Sequence, residues 1–480
     1  MKRMVISLLL VLCLLSMSSL ALAAEKPVLR YLGRDATFDL ANSPMIPILE
    51  ELTGYKVEYE ALPVGGEGLT KLMLLLSSGT SYDIVNSNTN HFDNALAAHA
   101  VTSLEDLLPL APALLEAVPA DSTSWARVQG EDGKTYGIPQ LSPTGGPVNA
   151  IIVRQDILDA LGLATPTTPD ELYTVLTAIK AAYPEMIPLT TSDVFDLPAV
   201  ISAFGSNAGW THTDGKYVPL QLSPKYREYI AYVRKLYEDG LLDAEFPAND
   251  QSTRLSKFSS GKAAMSFFQS SEGPGFYSAL AEAVPESKIS YLPFLKNADG
   301  AAEVQVNIGL EKISFIPRTS ANPQAAMDWI NQFMLNFKEI YIGPEGVDHE
   351  IVNGEYRPIM PAFAVHDTVW WFMPAVVEES VDQWWKARVR KSAEVERGYM
   401  DTFQVKAQKG LSISNDPLAM AQPNEELAKL STVAGSNWIN EMVKIVTGAI
   451  PMEAYETAVD NWKADGGDRI TEIVNELLKD

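Results

Sequence analysis

Cysteine is almost absent from the sequence. Among 480 residues the single cysteine is Cys13, inside an apolar run that extends over residues 4–15. Disulfides, thiol catalysis and cysteine-based metal sites are therefore excluded for everything after this run. A lipid anchor at Cys13 is not expected either, because Leu12 precedes it where a small residue would be required. The chain is long enough to rely on two or more hydrophobic cores instead.

The sequence also has few cations. Lysine and arginine number 37 against 61 acidic residues, which gives a formal net charge of −24. A field of that sign repels phosphates and anionic lipids, so we expect no nucleic acid partner. The sequence contains no GxSxG elbow, HExxH motif, P-loop or dinucleotide fingerprint, and its histidines show no metal-ligand spacing. We therefore expect a protein without enzymatic activity, metal or cofactor.

Long apolar runs are confined to the start of the chain. Two cations precede the apolar run of residues 4–15, which is too short for a membrane span of roughly 20 residues. Residues 21–23 (ALA) then provide a small-x-small cleavage pattern. We predict a secretory signal peptide over residues 1–23, cleaved near Ala23. The mature protein is then expected to be periplasmic, secreted or at the cell surface.

Short strands and helices alternate after the predicted signal peptide. Strand patterns at residues 28–32, 56–60 and 83–85 are separated by helix patterns at 44–52 and 67–76. This order predicts a parallel sheet with right-handed crossovers, in which ligands bind beyond the carboxyl ends of the strands. Turn chemistry is the alternative explanation for polar residues at those ends. The candidate ligand contacts that follow the first and third strands are Arg34, Asp35, Asn86 and Asn88.

Helical patterns dominate the rest of the chain. Helices are predicted at residues 155–163, 169–182 and 325–336, and a strand at 313–317. The 169–182 helix begins with a capping threonine, a proline and two acids, which suit the positive end of a helix. The last hundred or so residues are predicted to be mostly helical.

Six segments, in order along the chain, resemble motifs of the extracellular solute-binding proteins of ABC transporters. The last of them resembles the branch that binds alginate and other large oligosaccharides. One position departs from the family pattern, because Tyr82 stands where proline is usual. The segments are residues 77–85 (SSGTSYDIV), 132–139 (DGKTYGIP), 153–172 (VRQDILDALGLATPTTPDEL), 237–243 (YEDGLLD), 260–265 (SGKAAM) and 343–347 (GPEGV).

The resemblance implies a two-lobed α/β fold, the type II periplasmic-binding-protein fold, with each lobe a sheet flanked by helices and a helical C-terminal region. Residues 25–139 and 308–350 would form lobe 1. Residues 140–307 and 351–480 would form lobe 2 and a helical tail across the hinge. A ligand would be closed between the lobes by hinge motion.

The implied function is the capture of a carbohydrate, in particular an oligosaccharide, for delivery to the transmembrane subunits of an ABC permease. We expect a monomer. Two alternatives remain open from the sequence: a secreted glycan-active enzyme, and a binding protein for a non-sugar solute such as a peptide. The calcium loop of alginate-type relatives is missing, because residues 181–188 hold a single carboxylate and Ca²⁺ needs six or more oxygen ligands.

Aromatic residues supply further candidates for sugar binding, because a sugar ring presents C–H groups to a flat aromatic face. Adjacent side chains cannot face the same way, so one of Trp370 and Trp371 is expected to stack on the ligand; packing in a core is the alternative. By resemblance, an aromatic after the SGKAAM segment reaches the ligand. The remaining candidates are Trp210, Phe268, Gln269 and Asn307.

Overall fold

The structure, a computed structural model, describes residues 26–34, 39–63, 66–141, 149–193, 197–205, 209–269, 272–306, 310–406, 411–419, 421 and 424–478. The predicted signal peptide and two candidate ligand contacts, Asp35 and Asn307, lie outside the described residues.

Short strands are spread along most of the chain. Their bounds are β1 (Leu29–Gly33), β2 (Val57–Ala61), β3 (Ile84–Ser87), β4 (Ile138–Leu141), β5 (Asn149–Arg154), β6 (Ile187–Thr190), β7 (Trp210–Thr213), β8 (Lys216–Pro219), β9 (Ala263–Gln269), β10 (Ile289–Leu292), β11 (Ala302–Val306), β12 (Leu310–Phe315), β13 (His349–Val352), β14 (Glu355–Pro358) and β15 (Leu411–Asn415).

Helices alternate with these strands and dominate the C-terminal region. Their bounds are α1 (Ile46–Thr53), α2 (Gly66–Ser77), α3 (Thr89–Ala97), α4 (Pro112–Ala117), α5 (Gln155–Leu161), α6 (Pro169–Ala182), α7 (Pro198–Ile201), α8 (Pro224–Glu238), α9 (Gln251–Ser259), α10 (Gly273–Ala283), α11 (Pro323–Leu335), α12 (Phe337–Ile342), α13 (Val381–Val389), α14 (Ala393–Lys406), α15 (Glu425–Val446), α16 (Ala454–Trp462) and α17 (Asp468–Leu477).

Local sequence signals explain where several helices begin and end. Helix α6 has the predicted bounds, and the Thr168 hydroxyl accepts a hydrogen bond from the backbone N–H of Glu171 over 3.3 Å. Helix α5 ends at Leu161 and is followed by Gly162, which adopts a left-handed φ of 64°. A residue with a Cβ atom would be strained in that conformation.

The first sheet has the strand order β2-β1-β3-β12-β4. Strand β1 pairs in parallel with β2 and with β3, which confirms the predicted parallel arrangement. Strand β12 is antiparallel to both of its neighbours, β3 and β4. It therefore begins at the edge where the other four strands end, an edge that we call the carboxyl edge of the first sheet.

The second sheet has the strand order β10-β5-β9-β6. Strands β6 and β9 are parallel, and β5 runs antiparallel to β9 and to β10. The ends of β6, β9 and β10 thus share one edge with the start of β5. We call this the carboxyl edge of the second sheet.

The buried apolar side chains form two clusters, one around each sheet. The first core contains side chains of the first sheet together with those of α11 and α12. The second core contains side chains of the second sheet and extends into α15, α16 and α17. Buried residues of the segment 363–387 belong to the first core, although the sequence interpretation placed this segment with the second lobe. Helix α15 packs on α8 in the second core and also contacts α3 beside the first sheet.

Across the described part of the chain, every helix is too short or too polar to cross a membrane.

Candidate functional site

Charged and aromatic side chains meet at the carboxyl edge of the first sheet. Arg34 directly follows β1, and Glu311 lies near the start of β12. The guanidinium Nη1 of Arg34 is 3.6 Å from Oε1 of Glu311. The indole Nε1 of Trp370 donates a hydrogen bond to the same oxygen over 3.1 Å, and the Arg34 guanidinium carbon is 5.5 Å from the ring centroid of Trp371. We call these four residues the edge cluster.

The edge cluster remains accessible to solvent. The side chains of Arg34 and Glu311 are 26% and 29% exposed, and both tryptophans are half-buried. A guanidinium and a carboxylate offer several hydrogen-bonding groups to vicinal hydroxyls, and indole rings offer flat apolar faces. The combination suits a ligand with hydroxyls on its rim and C–H groups on its faces.

Trp370 and Trp371 make different contacts within the edge cluster. Beyond its bond to Glu311, Trp370 lies 5.5 Å from Trp385 in an edge-on arrangement, and the ammonium of Lys312 is 4.4 Å from its ring centroid. Trp371 makes a cation–π contact with Arg34. We take Trp371, beside the Arg34 guanidinium, as the candidate stacking ring of the pair.

Lys312 is a charged group buried beneath the edge cluster. Its side chain has no exposed surface, and its Nζ donates a hydrogen bond to the carbonyl oxygen of Trp370. Burial lowers the pKa of Lys312 to about 7; the carboxylate of Glu311 opposes this shift, and the cations of Arg34 and Arg388 reinforce it.

The two predicted asparagines at the end of β3 make hydrogen bonds within the protein. Asn86 is fully buried, and its Nδ2 donates to the carbonyl oxygen of Met373 over 3.0 Å. Asn88 caps α3, because its Oδ1 accepts a hydrogen bond from the backbone N–H of His91 over 2.9 Å. Turn and cap chemistry, the alternative explanation, therefore accounts for Asn88, and Asn86 offers no surface to a ligand.

The other described candidates lie in or beside the second core. Phe268 is fully buried and packs against Phe276 and Tyr291, at centroid distances of 5.4 and 5.3 Å. Gln269 ends β9 and is half-buried at the carboxyl edge of the second sheet. Trp210 begins β7 and is half-buried against the second core.

A buried ion pair fixes the end of β9. The Nη2 of Arg254 donates to Oε1 of Glu272 over 2.5 Å, and the side chains are 2% and 4% exposed. The other carboxylate oxygen of Glu272 accepts a hydrogen bond from the backbone N–H of Gln269 over 2.9 Å. This pair therefore positions the backbone at the edge and does not face solvent.

Glu311 and Lys312 were missed by the sequence interpretation. That interpretation placed charged contacts beyond the ends of parallel strands, whereas both residues precede the predicted strand at 313–317. Because β12 is antiparallel, its first residues lie at the carboxyl edge of the first sheet. The signal available in the sequence was a Glu-Lys pair directly before an apolar strand.

Among the residues that the structure describes, no group of three or more His, Cys, Asp or Glu side chains is arranged to hold a metal ion.

Comparison with known proteins identifies both the family and the fold of the chain. The family model described as bacterial extracellular solute-binding protein matches residues 39–336. The chain belongs to this family. The resemblance seen in the sequence motifs is thereby confirmed, and so is the assignment to a family of binding proteins.

Three relatives show how far the similarity extends. An uncharacterised protein of Niallia circulans is 34% identical over 256 residues, which cover 52% of this chain and 98% of that protein. The polygalacturonan/rhamnogalacturonan-binding protein YtcQ of Bacillus subtilis is 24% identical over 371 residues, covering 72% of this chain and 71% of that protein. The crystal structure of the alginate-binding protein AlgQ2 without calcium ion matches with a TM-score of 0.74 at 17% identity, covering 95% of this chain and 98% of that one. The fold is thus the predicted two-lobed α/β fold of solute-binding proteins, with a helical C-terminal region.

Proposed function

We propose that this protein is the extracytoplasmic solute-binding component of an ABC importer that captures an oligosaccharide between two lobes. The observation that carries the proposal is the edge cluster, in which Arg34, Glu311 and two half-buried tryptophans meet at the carboxyl edge of a largely parallel sheet. In sheets of this kind ligands bind at that edge. The relatives named for polygalacturonan and alginate bind polysaccharides, which supports a sugar ligand here.

Each part of the edge cluster matches a part of a sugar. Trp371 would lie under the C–H face of a ring, while Glu311 accepts hydrogen bonds from hydroxyl groups and Arg34 donates to hydroxyl or carboxylate oxygens. Gln269, at the carboxyl edge of the second sheet, would contact the ligand from the opposite lobe, with Trp210 as a further candidate. Asn86 and Phe268 are omitted from the proposed contacts because both are fully buried.

Ligand capture would follow from hinge closure of the two lobes around the sugar. The predicted division places residues 25–139 and 308–350 in lobe 1 and most of the remaining chain in lobe 2. The shared first core favours moving the segment 363–387 to lobe 1. The Trp370–Trp371 pair then belongs to the same lobe as Arg34 and Glu311.

The mechanism needs no covalent chemistry, and we propose that the protein is not an enzyme. Glycoside hydrolysis requires two carboxylates across the scissile bond. The four residues of the edge cluster include one carboxylate, that of Glu311. We further propose a monomer, exported by a signal peptide cleaved near Ala23. It would deliver its ligand to the transmembrane subunits of an ABC permease.

A thermal-shift screen tests the proposal. Oligogalacturonides, alginate oligomers and neutral oligosaccharides would be added to the protein; a ligand at about 100 times its Kd adds about 2.7 kcal/mol to the free energy of unfolding. We expect at least one oligosaccharide to raise the Tm and Arg34→Gln to reduce that rise. Arg30→Gln is the matched control, because Arg30 lies at the opposite end of β1 and donates to the carbonyl oxygen of Ser81. Turnover of a glycan, or equal effects of the two substitutions, would contradict the proposal.

A further inference from the structure

One face of the first sheet carries a row of buried polar side chains. The pairing register places Asn86 opposite Ser314, and alternate residues of a strand share a face, so Lys312 of β12 and Tyr31 of β1 point the same way. All four side chains have no exposed surface. Burying polar groups destabilises a fold unless each one finds a hydrogen-bond partner. We call Tyr31, Asn86, Lys312 and Ser314 the polar row.

Two members of the polar row bind the backbone of the tryptophan pair itself. The Tyr31 hydroxyl donates to the carbonyl oxygen of Trp371 over 3.1 Å. The Lys312 ammonium donates to the carbonyl oxygen of Trp370. The donors come from two different strands and are at least 58 residues away from their acceptors in the sequence.

The other two members bind the residues that follow the pair. Asn86 Nδ2 donates to the carbonyl oxygen of Met373 over 3.0 Å, and Ser314 Oγ donates to that of Pro374 over 2.8 Å. Asn86 Nδ2 also donates to Ser314 Oγ over 2.8 Å, which joins these two members to each other. Within residues 370–374, four of the five carbonyl groups are thus bound by side chains from one face of the sheet.

The position of this segment explains why it needs such donors. A 3-10 helix over Ala362–Trp371 ends here, and the last carbonyl groups of a helix lack partners within the helix. Two members of the polar row supply donors to the helix-end carbonyls of Trp370 and Trp371, and the other two supply donors to carbonyls just beyond the helix. The tryptophan backbone is therefore attached to the same sheet that carries Arg34 and Glu311.

We propose that Tyr31, Asn86, Lys312 and Ser314 are positioning residues for ligand binding, which hold Trp370 and Trp371 in their binding orientation before the ligand arrives. The statement about the ligand rests on the proposed function; the statement about the tryptophans does not. Such preorganisation raises affinity because the ordering of the site is complete before binding.

The test compares two tyrosine hydroxyls on the same sheet face. Tyr59 lies opposite Tyr31 in the register, is 6% exposed, and its hydroxyl has no hydrogen-bond partner among the described residues. Tyr31→Phe removes a hydroxyl that binds Trp371, whereas Tyr59→Phe removes one without such a role. Each substitution deletes a single oxygen, so both variants should fold. Ser314→Ala, combined with Tyr31→Phe, removes a second bond to the segment.

The first measurement needs no ligand. Near-ultraviolet circular dichroism and acrylamide quenching report on tryptophan order and accessibility at a temperature well below the Tm. We expect Tyr31→Phe/Ser314→Ala to change both signals and Tyr59→Phe to change neither. In a Trp370→Phe/Trp371→Phe background the difference should disappear. A double variant with a lower Tm but unchanged tryptophan signals would overturn the proposal, since the polar row would then act on stability alone.

The second measurement uses the oligosaccharide that gives the largest shift in the thermal screen. We expect the Kd of this oligosaccharide to be about tenfold higher for the double variant than for the wild-type protein, mainly because dissociation is faster. Tyr59→Phe should leave the Kd unchanged. An unchanged Kd in the double variant would overturn the role in binding. If the wild-type protein binds none of the oligosaccharides, the proposed function fails, while the ligand-free measurement still decides whether the polar row positions the tryptophans.

Discussion

The two sheets use charged side chains at their carboxyl edges in different ways. At the first sheet, Arg34 and Glu311 are 3.6 Å apart and more than a quarter exposed. At the second sheet, Arg254 and Glu272 are 2.5 Å apart and almost completely buried. The first pair is accessible to the ligand that we propose, whereas the second fixes the end of β9. Position at a strand end therefore does not by itself identify a ligand contact; accessibility separates the two roles.

The largest expected effect on the free energy of unfolding comes from breaking the buried ion pair. Glu272→Gln leaves the Arg254 cation buried without a carboxylate, and removing one partner of such a pair costs about 3–5 kcal/mol. Glu311→Gln at the exposed pair should cost about 1 kcal/mol or less. Denaturant unfolding, followed by the shift of the midpoint, measures both. Equal losses for the two variants would remove the distinction between the two edges.

Substitutions at the first sheet should affect ligand affinity more than substitutions at the second sheet, the opposite of the order expected for stability. Trp371→Ala removes the proposed stacking surface and should weaken oligosaccharide binding by about 2 kcal/mol, roughly 30-fold in Kd. Phe268→Leu alters a buried ring of the second core, so the Tm should fall while the Kd changes little. Isothermal titration calorimetry on the two variants measures this difference. Weaker binding by Phe268→Leu than by Trp371→Ala would reassign the site to the second sheet.

Two lysines extend the comparison to pH. Burial lowers the pKa of Lys312 to about 7 from an ordinary value of 10.5, with Glu311 opposing and Arg34 and Arg388 reinforcing the shift. The unfolded chain then binds more protons than the folded one between about pH 7 and 10.5, so this group makes stability rise with pH in that window. We expect the free energy of unfolding of the wild-type protein, relative to Lys312→Met, to rise by about 1 kcal/mol or more between pH 7 and 9.

Lys257, near the second sheet, should show no pH dependence of stability between pH 7 and 9. Although burial opposes it, hydrogen bonds to Glu245 and Asp243 raise the pKa of Lys257. Its contribution to stability is therefore complete below its unfolded pKa and is lost only as the pH rises above that value. The stability of the wild-type protein relative to Lys257→Met should thus stay constant between pH 7 and 9. A parallel change for both lysines would contradict these assignments.

The fold was largely predictable because its signals are local. The cap at Thr168 and the left-handed Gly162 lie next to the helix ends that they determine, and the strand β1 was predicted within one residue at each end. The site was less predictable because its contacts are not local. Asn86 binds the carbonyl of Met373, 287 residues away, and no periodicity in the sequence indicates that pairing.

The most direct test of oligosaccharide capture at the first sheet is a crystal structure with the ligand that gives the largest thermal shift. We predict a sugar ring within about 4 Å of the Trp371 indole, with hydroxyl or carboxylate oxygens hydrogen-bonded to Arg34 or Glu311. A ligand bound away from the edge cluster, with Arg34 and Trp371 untouched, would contradict the account.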